Sequence, residues 1–178
     1  LSELALGWCT FNGDHMSMYG VNAGVPKTLV GAVVQWLACR TKRPETHRAL
    51  LDIAETPISP ELLPPSPDGA HTQQTERTLG PYELHDFFLY RFMRFGDSPR
   101  RMLFLAEQAF GGRYTRVELL GVLRTFLRRF FAQQFKRNCM PDGPAIGSIS
   151  LSPRLFDSHL AIDANVKFST THNRFANK

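Results

Sequence analysis

The sequence predicts a mostly α-helical chain interrupted by one long loop. Three observations predict it. Apolar residues recur at helical spacing over 82–95 and 117–131. Helix-start signals stand at Ser98-Pro99 and at Thr115, with Glu118 three residues on. Five prolines fall between Pro57 and Pro67, where a residue without an N–H interrupts helix and sheet alike. Strand signals are few.

The N-terminal stretch Leu1–Trp8 reads as the middle of a packed element, and Asn12-Gly13-Asp14 marks a tight turn. Pro26 suits a first helical turn, so the apolar run Thr28–Cys39 reads as a buried helix, closed by the positive charge of Arg40–Arg43. A short helix follows around Thr46–Ile53. Ala54 to Gly80 then reads as a long irregular loop, of a length that belongs to lids and binding loops or to disordered segments.

The second half is helical. Tyr82–Phe95 carries Leu84, Phe87, Phe88, Phe92 and Phe95 at near-helical spacing, and Gly96 closes it. Ser98 and Pro99 open a helix to about Phe110, ended by Gly111-Gly112. Thr115 and Glu118 form a capping box for a long helix. Its apolar side holds Val117, Leu120, Leu123, Leu127, Phe130 and Phe131, and Pro141 stops it. Residues 138–154 are rich in Pro, Gly and Ser and read as irregular. Residues 155–178 show no packing pattern and read as an atypical, candidate disordered tail.

Composition excludes several classes. The chain has 178 residues, 43% hydrophobic and 21% charged, which argues against wholesale disorder and against low complexity. Three scattered cysteines, Cys9, Cys39 and Cys139, form no disulfide framework and no zinc motif, which suits a reducing cytoplasm. No signal peptide is expected, and the longest nearly apolar run, Leu29–Cys39, is too short to span a bilayer. The chain starts at Leu1 rather than Met, so it is expected to be part of something longer.

The net charge of +5 is unevenly spread. Residues 1–90 balance to −4, residues 91–137 to +8 and residues 138–178 to +1. A basic block of this kind suits an anionic partner, whether nucleic acid, nucleotide or acidic surface, or is a solvated helix face.

Chemistry is sparse in the pattern alone. There is no Gly-rich phosphate loop and no nucleophile elbow, and the six His show no metal-ligand spacing. His85-Asp86 lies among aromatics in a helix, where a hydrogen-bonded structural His is the expectation. Asp14 sits on a turn, where it either holds a ligand or makes an Asx-turn. Lys27, near a helix start, is poorly placed for the macrodipole unless an anion binds beside it, although a solvated Lys there costs little. Lys136-Arg137 after Phe135 suits phosphate or carboxylate, or is simply a basic helix end.

Five stretches taken together resemble the bacterial glutamine-dependent NAD(+) synthetases. They are LSELALGWCTFNGDHMSMYGVNAGVPKTLV, ETPISPELLPP, GPYELHDFFLYRFMRFG, SPRRMLFLAEQAF and RRFFAQQFKRNCMPDGPAIGSISLSPR, in family order from Leu1 to Arg154. The resemblance implies the C-terminal half of the synthetase domain, of Rossmann-like α/β fold in the adenine-nucleotide α-hydrolase family, with this part predominantly α-helical. It implies a cytoplasmic ATP-dependent ligase. Such an enzyme adenylates the nicotinate carboxylate of deamido-NAD and displaces AMP with ammonia, made from glutamine by an N-terminal glutaminase domain. ATP and Mg²⁺ are the implied cofactors and a homo-oligomer the implied assembly, with no membrane or nucleic-acid partner.

Residue by residue, the resemblance places Lys27 and Ser59 at ATP. It places Glu3, Trp8, Asp14 and Lys136 at deamido-NAD, with Glu3 also beside the metal; no catalytic residue is assigned. The proline-rich loop 54–80 becomes a lid. The family's Ser-Gly-Gly-x-Asp-Ser loop and its amidohydrolase domain are absent from the 178 residues. After Arg154 the chain departs from the family's Gly-Asp-Trp-Arg-type continuation. The alternative expectation from the charge and the long apolar helix is a basic helical module for nucleic acid or for oligomerisation.

Overall fold

The computed structural model describes residues 1–13, 17–56, 78–141, 143–144 and 146–151. The lid expected over 54–80 and the tail expected over 155–178 therefore lie largely outside the described residues. Within them the chain is helical, with no strand. The order is α1 (Ser2–Leu6), a 3-10 turn (Val21–Gly24), α2 (Lys27–Arg40), α3 (Pro44–Glu55), α4 (Tyr82–Phe95), α5 (Pro99–Phe110), α6 (Arg116–Ala132) and α7 (Gln134–Asn138).

The caps follow from the sequence. Ser98 accepts a hydrogen bond from the Arg101 backbone N–H, and Pro99 fills the first turn of α5, where its missing N–H costs nothing. Thr115 and Glu118 complete the expected capping box on α6, with the Glu118 carboxylate 2.7 Å from the Thr115 nitrogen. Gly96 closes α4 in the left-handed conformation. The long helix expected to reach Pro141 is broken at Gln133, where α6 ends and α7 begins.

The core lies between α1, α4, α5 and α6. Phe88, Phe92, Phe126 and Phe130 form its spine, with the Phe92 and Phe130 rings 5.2 Å apart and edge to face. Edge-to-face pairs of this kind add to the stabilisation from burial alone. Leu151 returns from the irregular C-terminal stretch to the same core, and the Ile146 N–H donates to the Val21 carbonyl of the 3-10 turn. Two residues expected on apolar faces are instead exposed. Val117, in the first turn of α6, is 80% exposed, and Phe95 lies under the Arg91 guanidinium.

The buried helix expected over Thr28–Cys39 needs correction. α2 forms there, but Ala38 is its one buried residue. Leu29, Val30, Val33, Trp36 and Leu37 are exposed, Trp36 to 55%. An apolar run signals a demand for cover, and its spacing cannot say what provides it. α3 and α4 cover only part of α2 among the described residues.

His85 sits in the core, 1% exposed. Its Nε2 lies 2.8 Å from the Leu79 carbonyl, and its buried Nδ1 has no partner among the described residues. This is the structural histidine expected from the sequence. Burial pushes its pKa below the ordinary value, against smaller opposing effects from the Leu79 hydrogen bond and Asp86. The unfolded chain therefore takes up a proton at a higher pH than the folded chain does. Stability should fall as pH drops below about 6.5, and His85→Gln should flatten that slope in urea titrations across pH.

Gly7 ends α1 with φ of 61°, and a Cβ there would overlap the Gln133 side chain. Gly7→Ala is expected to destabilise the chain by about 1–3 kcal/mol in chemical denaturation, through strain and overlap together.

Candidate functional site

α1 is five residues long, too short to persist alone, so tertiary contacts must hold it. They do so at both ends, and both ends carry residues singled out by the sequence.

At the N-terminal end, Glu3 meets Lys27, the first residue of α2. The Lys27 ammonium lies 2.9 Å from Glu3 Oε1, and the two side chains are 32% and 41% exposed. This contact offsets the awkward position of a cation at a helix N-terminus. At this exposure the pair contributes little stability, about 0–1 kcal/mol. It therefore leaves a cation and a carboxylate side by side and open to solvent.

Behind the pair lies a buried carboxylate. Asp86, on α4, accepts from the Thr28 N–H at 3.0 Å, from the Thr28 hydroxyl at 2.7 Å and from the Ser2 hydroxyl. Ser2 Oγ in turn accepts from the Lys27 N–H at 2.8 Å. A carboxylate at a helix N-terminus is favoured both by the free N–H groups and by the macrodipole. One side chain of α4 thus ties the first turns of α1 and α2.

At the C-terminal end, three cations bind main-chain carbonyls. Arg129 donates to Leu6 O at 2.9 Å, and Arg137 donates to Ala5 O at 3.0 Å and to Phe130 O. Lys136 donates to Gly7 O at 2.8 Å and Cys9 O at 2.7 Å. Positive charge belongs at a helix C-terminus, where carbonyls lack intrahelical partners. Burial pushes the Arg137 guanidinium down to about 10, so it stays charged at neutral pH. Trp8 packs against the core with the Arg129 guanidinium 5.0 Å from its ring centre.

At least seven of the eleven basic side chains of residues 91–137 bond to other groups of the protein, Arg101, Arg113 and Arg116 at its surface. Arg91 and Arg101 pair with Asp97, Arg113 with Glu83 and Arg116 with Glu107, while Arg129, Lys136 and Arg137 hold carbonyls.

Of the residues expected at the site, the structure joins Glu3 to Lys27 and places Trp8 beside the segment that Lys136 holds. The two groups sit at opposite ends of α1. Asp14 and Ser59 lie outside the described residues. Sequence reasoning gave no role to Ser2, Thr28, Asp86 or Arg129, and it read Arg137 as an anion-binding or helix-end cation without foreseeing its carbonyl partners. The capping of α2 comes from 58 residues away and the Arg137 contact from 132, so no local signal could have announced them.

Among the described residues no group of three or more His, Cys, Asp and Glu is placed to hold a metal, and no helix is long and apolar enough to cross a membrane. No family model matches the chain. A glutamine-dependent NAD(+) synthetase of Mycobacterium leprae is 37% identical over 174 residues, covering 86% of this chain and 25% of the relative. Its namesake in Mycobacterium tuberculosis matches equally. That of Synechocystis is 32% identical over 104 residues, covering 57% of this chain and 16% of the relative. The chain spans about a quarter of the length of the first two. Over 86% of its residues, the chain is thus related to one segment of the glutamine-dependent NAD(+) synthetases.

Proposed function

We propose that the chain is the C-terminal half of a synthetase domain (residues 1–154, with 54–80 as its lid) in a cytoplasmic NAD(+) synthetase. The domain would have the Rossmann-like α/β fold of the adenine-nucleotide α-hydrolases, of which these helices are one part. The reaction is ATP-dependent: the nicotinate carboxylate of deamido-NAD is adenylated, and ammonia from a glutaminase domain displaces AMP to form the amide. Alone, without the Ser-Gly-Gly-x-Asp-Ser loop, the chain is expected to be inactive.

The observation that carries this reading is the Glu3–Lys27 contact. Two residues 24 positions apart, assigned by resemblance to metal and nucleotide, meet at 2.9 Å with both side chains partly open to solvent. Lys27 supplies a point charge for phosphate oxygens. Glu3 is a hard oxygen donor, and Mg²⁺ commonly takes only one or two protein carboxylates and fills its remaining positions with phosphates and water. The residues present therefore fit the ion, which when bound would neutralise phosphate charge.

Ser59 joins Lys27 in the proposed ATP site, and Asp14 joins Trp8 in the proposed deamido-NAD site. Glu3 and Lys136 belong to the latter as well, and Lys136 also bonds the carbonyls on either side of Trp8. In a full-length polypeptide carrying this segment, Lys27→Ala is expected to raise KM for ATP about tenfold or more. Wild-type kinetics in that variant would overturn the ATP assignment.

A second role is favoured by the exposed apolar side of α2, which supports contacts within a homo-oligomer. Trp36→Glu is then expected to lower the mass of the full-length protein in light scattering. An unchanged mass counts against α2 as that interface.

A further inference from the structure

We propose that Asp86 is a positioning residue for the nucleotide site, setting the Glu3–Lys27 geometry from behind without touching substrate. The proposal rests on the reading of Lys27 as the ATP lysine.

Glu3 and Lys27 are partly exposed, and their own contact is too weak to define where the ammonium stands. Their backbones are defined much better, through their chain neighbours. Ser2 precedes Glu3 and Thr28 follows Lys27, and both bond to the same buried carboxylate. Asp86 is 9% exposed and belongs to α4, which is anchored in the aromatic core through Phe88 and Phe92. The route from the core to Lys27 is short. Asp86 fixes Thr28 directly, and it fixes Ser2, whose oxygen receives the Lys27 N–H at 2.8 Å.

The chemistry explains why an ionised carboxylate suits this place. Ser2 Oγ has one proton and gives it to Asp86, which leaves a lone pair for the Lys27 N–H. The other carboxylate oxygen receives two donors from Thr28. Asparagine at 86 could still accept from Thr28 but would turn an NH₂ toward Ser2, leaving the Ser2 proton without its acceptor. Alanine would lose all three contacts and leave the buried Ser2 hydroxyl without its acceptor, which costs more than that bond itself contributes.

A structural cap alone would lower stability without singling out the nucleotide. The test separates the two by a double-mutant cycle in the full-length polypeptide. ATP affinity is read by titration calorimetry, and KM and kcat by amide formation from ammonia. Asp97→Ala is the control, since it removes another buried, bonded carboxylate, in the turn between α4 and α5, whose partners are Arg91 and Arg101 rather than residues of α1 or α2.

Asp86→Ala is expected to weaken ATP binding about tenfold, Asp86→Asn less, and Asp97→Ala hardly at all at matched loss of melting temperature. In a Lys27→Ala background, Asp86→Ala should weaken ATP binding no further, because it acts through Lys27. Asp86→Asn carries the same comparison if the alanine variant does not fold. Additive losses, or an effect of Asp86→Asn no larger than that of Asp97→Ala, would overturn the positioning role and leave the reading of Lys27 intact. Unchanged ATP affinity in Lys27→Ala alone would overturn both.

Discussion

A carboxylate removed from water has to recover its hydrogen bonds inside the protein, and Asp86 recovers its bonds at the starts of two helices. That constraint organises the N-terminal half. α2 could leave the core at many angles, since its own burial is slight. The direction it takes is the one that brings Thr28 and Ser2 to the same side chain. The Glu3–Lys27 pair, weak by itself, then inherits the rigidity of α4.

The opposite end of α1 is held by the converse arrangement. There the unpaired groups are carbonyls, and the partners are the cations of α6 and α7. A five-residue helix with negative charge bonded near its start and positive charge at its end is complementary to the helix dipole at both termini. The basic block of residues 91–137 thus has a structural reason to exist. Three of its cations bond backbone oxygens at the end of α1, a use that a count of acidic and basic side chains does not reveal.

What could be read from the sequence was what depends on near neighbours. The capping box at Thr115, the Ser98-Pro99 start, the glycine stop at Gly96 and the helical spacing of Phe88 and Phe92 are all local, and the structure has them where expected. Glu3 and Lys27 were singled out through resemblance, as residues of different ligands, and their contact was not foreseen. The partners of Asp86 and Arg137 were not legible at all, because hydrogen bonds across 84 or 132 residues leave no trace in periodicity. The cover of α2 was misjudged for a related reason: hydrophobicity reports that a surface avoids water, and the neighbour that satisfies it is a property of the assembled chain.

The double fastening of α1 leaves it no tolerance for changes in length. A helix turns about 100° and advances about 1.5 Å with each residue. Inserting or deleting one residue between Ser2 and Gly7 would swing Glu3 to another face while the carbonyls of Ala5 to Cys9 stayed bound to Arg129, Lys136 and Arg137. Substitutions in this stretch can be absorbed one side chain at a time. A shift in register breaks one fastening whichever way the helix settles, so among related chains the spacing from Ser2 to Gly7 should vary less than the residues that fill it.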